Sequence, residues 1–282
     1  MKILEFLKAM LLGIVEGITE WLPISSTGHM ILLDEFIDLK VSEEFMELFL
    51  VVIQLGAICA VPVLFWNKLN PFSKSKTEEE RRSVWSLWAK VLVGVAPAAV
   101  LGLIFDDLLE EHLYNFVVVA ITLIVYGVAF ILIEKIKNNK KNSNSGEYRI
   151  NDVKDITYKD ALVIGFFQTL SLIPGTSRSG STILGGMLTG VSRTASAEFS
   201  FFMAIPVMLG ASLLKIVKFV IGGFAATPME ILLLIVGMLV SFAVSLAAIK
   251  FLMDFVKRHS FAPFGIYRII LGSLVLGYFL IA

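Results

Sequence analysis

The fold of this chain is decided by residues 16–29, which read Glu16-Gly-Ile-Thr-Glu-Trp-Leu-Pro-Ile-Ser-Ser-Thr-Gly-His29. A second stretch, residues 168–180, resembles it and reads Gln168-Thr-Leu-Ser-Leu-Ile-Pro-Gly-Thr-Ser-Arg-Ser-Gly180. Each runs from an apolar helical pattern into a proline, then into a cluster of hydroxyl side chains and glycine, and then into another apolar run. An interval of 152 residues separates the first residues of the two stretches, and 151 residues separate the two prolines. This near-constant interval predicts an internal repeat.

Composition places both stretches in a membrane protein. Of the 282 residues, 57% are hydrophobic and 17% are charged, whereas a soluble protein carries about a quarter charged residues. Runs free of Asp, Glu, Lys and Arg approach or reach the roughly 20 residues that a spanning helix needs, and they lie at 48–67, 116–133 and 231–249. The formal net charge is zero, so nucleic acid is not an expected partner. The lone cysteine, Cys59, is expected to pack within its apolar run.

Prolines and helix-capping residues place the breaks between helices. Pro23 and Pro174 should each end the helix before them, and the Ser/Thr-rich runs that follow favour the start of the next helix. We predict helices at about 3–22, 24–33, 45–66, 84–105, 115–134, 158–173, 178–191, 197–220, 229–252 and 263–281. The repeat has a second match, in which Glu44-Phe45 and Leu55-Gly-Ala57 recur as Glu198-Phe199 and Leu209-Gly-Ala211.

The shortness of segment 24–33 determines the predicted topology. At roughly 1.5 Å per residue it cannot cross a bilayer about 30 Å thick, so each half should contain one re-entrant helix hairpin and three transmembrane helices. Three crossings are an odd number, which gives the two halves opposite orientation. We therefore predict an all-α polytopic protein with one membrane domain, 1–282. It consists of a first repeat at 1–137, a polar linker at 138–157 and a second, inverted-topology repeat at 158–282.

The distribution of basic residues predicts the orientation in the membrane. One face receives the loops 67–90, 135–160 and 250–260, which hold 16 Lys and Arg, whereas the face with both termini holds five. The positive-inside rule then puts the linker in the cytoplasm and both termini outside.

The two hairpins carry polar groups that need a function. Glu16 and Glu20 lie one helical turn apart, so they would repel each other unless a metal, an arginine or water compensates them. Arg178 lies at the predicted start of a helix, where backbone N–H groups favour anions and a guanidinium can bind phosphate oxygens. Simpler alternatives are a glutamate pair that faces bulk water, a packing role for His29, and an Arg178 that only pairs with a glutamate.

These residues resemble a known family, the bacitracin-resistance type of undecaprenyl-diphosphate phosphatase. Residues 16–29 and 174–180 match its two signature motifs, and the similarity extends over the whole chain. The resemblance implies hydrolysis of undecaprenyl diphosphate to the monophosphate, which recycles the lipid carrier of cell-wall synthesis and confers bacitracin resistance. It also implies dependence on a divalent cation and an outward-facing site in the bacterial cytoplasmic (inner) membrane.

For that reaction we expect a catalytic set made of Glu16, Glu20, Ser26, His29 and Arg178. A hard cation, Mg²⁺ or Ca²⁺, would bind at the two glutamates. Ser26 is the candidate nucleophile with His29 or Glu20 as its base, and attack by a water that the metal or His29 activates is the alternative. The expected substrate-binding residues are Ser25, Thr27, Gly28, Gln168, Gly175, Thr176, Ser177 and Ser179.

A competing class is a transporter or flippase of the polyprenyl phosphate, since inverted repeats with broken helices are common among transporters. An intramembrane Ser/His protease fits less well, because it needs neither Arg178 nor two glutamates. The expected partners are undecaprenyl diphosphate, membrane lipid and, as one option for the assembly, a second copy in a homodimer.

Overall fold

The computed structural model describes residues 2–37, 39–142 and 148–281, and most of that length is helical. The α-helices of the described ranges are α1 Lys2–Thr19, α2 Ser26–Phe36, α3 Glu43–Ile58, α4 Ala60–Leu64, α5 Trp66–Leu69, α6 Glu78–Leu113, α7 Phe116–Asn142, α8 Tyr158–Thr169, α9 Arg178–Leu188, α10 Arg193–Ile221, α11 Pro228–Arg258 and α12 Ala262–Ile281. Two 3₁₀ turns lie at Val153–Asp155 and Leu170–Leu172. Extended pairing in these ranges is limited to one parallel bridge between Ile150 and Val191.

Within the described ranges, six helices are long and apolar enough to cross a membrane. They cover Glu43–Leu64, Glu78–Phe105, Phe116–Lys137, Arg193–Ile221, Pro228–Arg258 and Ala262–Leu280. Three of them precede the predicted linker and three follow it. The prediction of an all-α polytopic membrane protein is confirmed, and the inverted-repeat relation between the halves stays a prediction.

The helix pairs α1–α2 and α8–α9 form hairpins that start and finish at the same end of the bundle. In the first hairpin, Oε2 of Glu5 accepts a hydrogen bond from the backbone N–H of Lys40 at 2.8 Å. In the second, Arg149 donates both to Asp160 at the start of α8 and to the carbonyl of Thr189 after α9. Each hairpin therefore turns round inside the bundle rather than passing through it.

The two hairpins enter from opposite ends. The long helix α10 runs antiparallel to the segment α3–α5. Lys215 of α10 pairs with Glu47 of α3 at one end, and Lys68 of α5 pairs with Glu198 of α10 at the other. The first hairpin opens at the Glu47 end, because α3 begins soon after α2 finishes. The second opens at the Lys68 end, because α10 begins soon after α9 finishes.

The basic loops meet at the end where the second hairpin opens. Glu134, late in α7, pairs with Arg193 at the start of α10 and accepts a hydrogen bond from the backbone N–H of Phe261, between α11 and α12. The start of α1 and the end of α12 lie at the opposite end, where Phe279 of α12 stacks on Phe116 with ring centroids 4.7 Å apart. The loops rich in Lys and Arg therefore lie at one end of the bundle, and the loops with few basic residues lie at the other.

Glycines let the hairpins lie directly against spanning helices. A Cβ on Gly17 of α1 would lie 2.7 Å from the carbonyl oxygen of Ser241 in α11, and one on Gly165 of α8 would lie 2.2 Å from that of Gly94 in α6. Backbones in a membrane approach this closely where no side chain separates them. These two contacts fix how deep each hairpin turn lies.

Several helices extend beyond their predicted ends. The α6 helix begins at Glu78 with a capping box formed by Thr77 and Glu80, and it continues to Leu113. The α7 helix continues to Asn142, so the first part of the predicted linker is helical. Residues 143–147 of that linker lie outside the described residues. The predictions were too short because they followed apolar runs, whereas capped helices continue into polar sequence.

Candidate active site

The two hairpin turns have the same backbone geometry. Ser25 and Ser177 have φ values of 74° and 72°, and they are the non-glycine residues with positive φ in the described chain. Each caps the helix that follows it. The hydroxyl of Ser25 accepts from the N–H of Gly28 at 3.2 Å, and that of Ser177 accepts from the N–H of Gly180 at 3.1 Å. Positive φ is strained for serine, and such strain clusters at functional sites.

A continuous chain of hydrogen bonds joins the two hairpins. The hydroxyl of Ser26 donates to Oε2 of Glu20 at 2.8 Å. Oε1 of the same carboxylate accepts from Nη2 of Arg178, also at 2.8 Å. Nη1 of Arg178 donates to the carbonyl of Ser200 in α10 at 2.7 Å. Arg178 therefore does pair with a glutamate of the first hairpin, and this pair holds the candidate nucleophile in place.

Glu16 lies one helical turn before Glu20. The backbone N–H of Glu20 donates to the carbonyl of Glu16 at 3.0 Å, so helical geometry continues past α1 and puts both carboxylates on one face. Glu16 is 1% exposed, and its Oε1 has no hydrogen-bond partner within the described residues. An unpartnered buried carboxylate oxygen is unfavourable. This atom is therefore available to an ion or to a substrate group.

His29 belongs to α2, but its ring faces α12. Its Nδ1 lies 2.7 Å from the carbonyl oxygen of Ser25, which can only accept, so Nδ1 carries a proton. Its Nε2 lies 2.6 Å from the hydroxyl of Tyr267, and the two rings lie parallel with centroids 5.6 Å apart. In the neutral ring Nε2 is the acceptor and Tyr267 donates to it. The hydroxyl of Ser26 thus contacts Glu20, while the basic nitrogen of His29 is occupied by Tyr267.

A second buried arginine contacts both hairpin turns. The side chain of Arg268 in α12 is fully buried. Its Nη1 donates to the carbonyl of Pro23 in the first turn at 3.2 Å. Its Nη2 donates to the carbonyls of Gly175 and Thr176 in the second turn at 2.8 and 3.0 Å. The guanidinium also lies over the ring of Tyr126, with Cζ 5.4 Å from the ring centroid.

Some predicted substrate-binding residues hold the turns themselves. Ser25, Gly28 and Ser177 form the caps described above. The hydroxyl of Ser179 lies 3.1 Å from the carbonyl oxygen of Glu20 and so ties the second hairpin to the first. Gly175 has φ +83°, and a Cβ there would lie 2.2 Å from the hydroxyl of Thr122. Only glycine therefore fits this turn.

The other predicted substrate-binding residues take no part in that hydrogen-bond chain. Both amide atoms of Gln168 and the hydroxyl of Thr176 are buried without a partner in the described ranges. Thr27 is half-buried in the first turn of α2. Among the described residues, none of its hydrogen bonds joins it to the Ser26–Glu20–Arg178 chain.

An apolar cavity of about 490 Å³ lies between the first hairpin and the corner of α11 and α12, with His29 of the predicted catalytic set in its lining. Its polar end is formed by His29, Thr19 and Tyr267. The remaining lining residues are Val15, Ile18, Leu22, Ile24, Phe251, Phe255, Pro263 and Phe264. A hydrocarbon chain matches this lining.

The family model described as Bacitracin resistance protein BacA matches residues 9–274. The chain belongs to the BacA family. It is 58% identical to an undecaprenyl-diphosphatase of Enterococcus faecalis over 97% of both chains, and 58% identical to one of Acetivibrio thermocellus over 98% of both. It is 54% identical to another of Desulfitobacterium hafniense, over 99% of this chain and 98% of that one. These BacA relatives therefore match it across both hairpins.

Three groups at the site of this BacA-family protein were not predicted: Ser200, Tyr267 and Arg268. The sequence could have indicated Arg268, because it is the single charged residue in the 20-residue helix α12. An ionisable residue inside an apolar span is by default a candidate for function. Nothing in the sequence indicated Ser200 or Tyr267, since serine and tyrosine are ordinary residues in membrane helices.

Proposed function

We propose that this chain is an integral membrane phosphatase that hydrolyses undecaprenyl diphosphate to undecaprenyl phosphate and inorganic phosphate. The reaction returns the lipid carrier to peptidoglycan and cell-wall polymer synthesis and confers bacitracin resistance. The observation that carries the proposal is the hydrogen-bond chain from Ser26 through Glu20 to Arg178. It joins the two hairpins of a BacA-family protein whose relatives are named undecaprenyl-diphosphatase.

The contact between Ser26 and Glu20 supports a covalent route. The Ser26 oxygen attacks the terminal phosphorus while its proton passes to Oε2 of Glu20. The bond between phosphorus and the bridging oxygen breaks, and the proton on Glu20 passes to undecaprenyl phosphate as it leaves. A water then attacks the phosphoserine, gives its proton to Glu20, and inorganic phosphate leaves as that proton returns to Ser26.

Glu20 is a better candidate than His29 for the base. Its Oε2 accepts a hydrogen bond from the Ser26 hydroxyl at 2.8 Å, whereas Nε2 of His29 is hydrogen-bonded to the hydroxyl of Tyr267. Direct attack by water is the alternative route, with Ser26 only hydrogen-bonded to the diphosphate. Glu20 can take the proton in either route.

The substrate would lie with its diphosphate between the N-termini of α2 and α9. Backbone N–H groups at a helix N-terminus favour anions, and Arg178 supplies a cation within this space. The undecaprenyl chain would follow the apolar cavity that leads away from His29. Ile18 and Phe251 of the lining are exposed on the outside of the protein, so lipid would surround the part of the undecaprenyl chain that extends beyond the cavity.

We also propose a divalent cation, Mg²⁺ or Ca²⁺, held by Glu16 and Glu20 together with substrate oxygens. Glu16 fits this role, because its Oε1 is buried and unpartnered. Both oxygens of Glu20 are already hydrogen-bonded, and the described residues contain no group of three or more His, Cys, Asp or Glu that could hold an ion. When bound, the cation would neutralise charge on the diphosphate. We therefore expect it to bind with the substrate rather than tightly to the free protein.

The proposed location is the bacterial cytoplasmic membrane, with the site facing outward and both termini outside. Two exposed positions at opposite ends of the bundle test the orientation: Ser75 beside the basic end and Ala225 beside the other. In a Cys59→Ser background, an impermeant thiol reagent on intact cells should modify Ala225→Cys and spare Ser75→Cys. The reverse pattern would overturn the orientation.

Phosphate release from the purified protein in detergent tests the activity. Wild type should release phosphate from undecaprenyl diphosphate, and removal of divalent cations with EDTA should stop it. The Glu20→Gln variant should bind the lipid and release almost none. A wild-type protein that binds the lipid without releasing phosphate would instead be a transporter or flippase.

A further inference from the structure

Arg268 differs in what it contacts from three arginines that form ion pairs. Arg178 pairs with Glu20, Arg193 with Glu134 and Arg149 with Asp160. Within the described residues Arg268 has no carboxylate partner, and its donors go to backbone carbonyls.

This arrangement leaves an uncompensated positive charge inside the protein. Moving an unpaired charge out of water is unfavourable even after relaxation, and the carbonyl dipoles and the face of Tyr126 offset only part of this cost. A charge so placed favours any anion that binds nearby. The diphosphate proposed for this site carries several negative charges.

The carbonyls that Arg268 binds have a specific place in the chain. Pro23 precedes the capping serine of the first turn by two residues, and Thr176 directly precedes that of the second. The helices that carry Ser26 and Arg178 begin at once after these caps. One planar guanidinium therefore sets the distance between the turn that carries the nucleophile and the turn that carries the phosphate-binding cation.

The close approach of α9 agrees with this role. A Cβ on Gly180, in the first turn of α9, would lie 3.3 Å from Nη1 of Arg268. The guanidinium thus contacts the start of α9 as well as the turn before it. A lysine has three donors on a single nitrogen, so it could not reach carbonyls on both turns in the same way.

We infer that Arg268 is a positioning residue that locks the two hairpin turns to each other and supplies positive charge to the diphosphate site. The inference rests on the proposed phosphatase function for its effect on activity. Its effect on the hairpins is independent of that function and can be measured separately.

Kinetics of Arg268→Lys and Arg268→Gln test the role, with Arg193→Lys as the matched control. Arg193 is a half-buried arginine that also joins helices, but it pairs with Glu134 at the basic end. We expect Arg268→Lys to lower kcat about ten- to a hundredfold with little change in KM, because the reacting groups are misplaced. Arg268→Gln should also raise KM, since it removes the charge. Arg193→Lys should lower the melting temperature and leave kcat within about twofold.

A second readout needs no catalysis. The guanidinium of Arg178 lies over the ring of Trp21, with Cζ 6.0 Å from the ring centroid. In a background where Trp66, Trp85 and Trp88 are phenylalanine, Trp21 fluorescence reports whether the second hairpin still lies against the first. We expect Arg268→Lys to shift that emission and Arg193→Lys to leave it unchanged.

Tyr126 provides a variant that leaves Arg268 itself in place, should the Arg268 variants not fold. Tyr126→Leu removes the ring beneath the guanidinium, and Tyr126→Phe keeps it. We expect Tyr126→Leu to lower kcat about three- to tenfold and to shift the Trp21 emission, with Tyr126→Phe close to wild type.

A folded Arg268→Lys variant with wild-type kcat and wild-type Trp21 emission would overturn the inference. A fall in kcat no larger than that of Arg193→Lys would overturn it as well. If only Tyr126→Leu can be measured, its wild-type behaviour overturns it. A wild-type protein that releases no phosphate would overturn the proposed function alone, because the Trp21 emission would still decide whether Arg268 positions the turns.

Discussion

The two hairpins share one backbone turn and differ in the chemistry placed on it. The cap is a serine with positive φ in both, Ser25 in one and Ser177 in the other. The residue directly after the cap is Ser26 in the first hairpin and Arg178 in the second. The residue nine positions before the cap is Glu16 in the first and Gln168 in the second.

This difference explains how two similar turns can make one asymmetric site. The shared turn starts a helix in each hairpin, and the two starts are joined through Glu20, which accepts hydrogen bonds from Ser26 and Arg178. Changes of side chain then make the first hairpin acidic and nucleophilic and the second cationic. We therefore assign the reacting groups to the first hairpin and the recognition of phosphate charge to the second.

The largest effect is expected from Ser26→Ala in the first hairpin. If Ser26 attacks phosphorus, turnover should fall to the background rate, because no phosphoserine can form. If water attacks, the variant loses one hydrogen bond to the diphosphate, worth about 1.5–3 kcal/mol or roughly ten- to a hundredfold in rate. Rapid quench with substrate labelled on the terminal phosphate should trap label on Ser26 in the covalent case.

Ser179→Ala in the second hairpin is the matched control for that experiment. Its hydroxyl contacts the backbone carbonyl of Glu20 rather than a reacting group. We expect a loss of less than about tenfold. Turnover by Ser26→Ala that equals turnover by Ser179→Ala would remove Ser26 from the role of nucleophile.

The next largest effect is expected from Arg178→Lys. The substitution keeps the charge of the second hairpin but loses the planar group that binds Glu20 and Ser200 together. We expect kcat/KM to fall about ten- to a hundredfold in a phosphate-release assay. An unchanged kcat/KM would show that the second hairpin contributes only a point charge.

A smaller effect is expected from Tyr267→Phe, which tests the placement of His29. The variant removes the hydroxyl that donates to Nε2 and keeps the ring that stacks on the imidazole. If His29 serves only to hold the first turn, kcat should change by less than about threefold. A loss as large as that of His29→Ala would instead make the Tyr267–His29 pair part of the reaction.

The smallest effect on activity is expected from Asp160→Asn, at the start of α8 where the second hairpin opens. Burial raises the pKa of Asp160, but hydrogen bonds from Thr157 and Arg149 outweigh it and bring the pKa below its usual value. A carboxyl with a lowered folded-state pKa stabilises the fold above its unfolded pKa, and this contribution is lost as the pH falls through the folded-state value. Asp160→Asn should therefore lower the melting temperature at neutral pH and flatten its decline in acid, with kcat unchanged. An acid dependence identical to wild type would contradict this assignment.

Much of the architecture followed from the sequence, because proline, apolar length and charge distribution act locally. Pro23 and Pro174 marked both turns, and apolar runs located the spanning helices. Side-chain pairing was harder to predict, since it depends on which helices become neighbours. The contact of Nε2 of His29 with Tyr267 joins residues 238 positions apart. The imidazole contacts Tyr267 because α2 packs beside α12, and the local sequence around His29 does not specify that neighbour.

The ion pair between Glu20 and Arg178 also has a consequence for how the protein is made. Glu16 and Glu20 are translated 162 and 158 residues before Arg178, and Arg268 follows later still. At about 5–20 residues per second, the first hairpin waits on the order of ten seconds for its cation. Two uncompensated carboxylates are unfavourable in lipid, so we expect the first hairpin to stay at the membrane surface until the second is translated. We therefore expect the site to assemble as a late step of biogenesis, after the second hairpin and α12 have been translated.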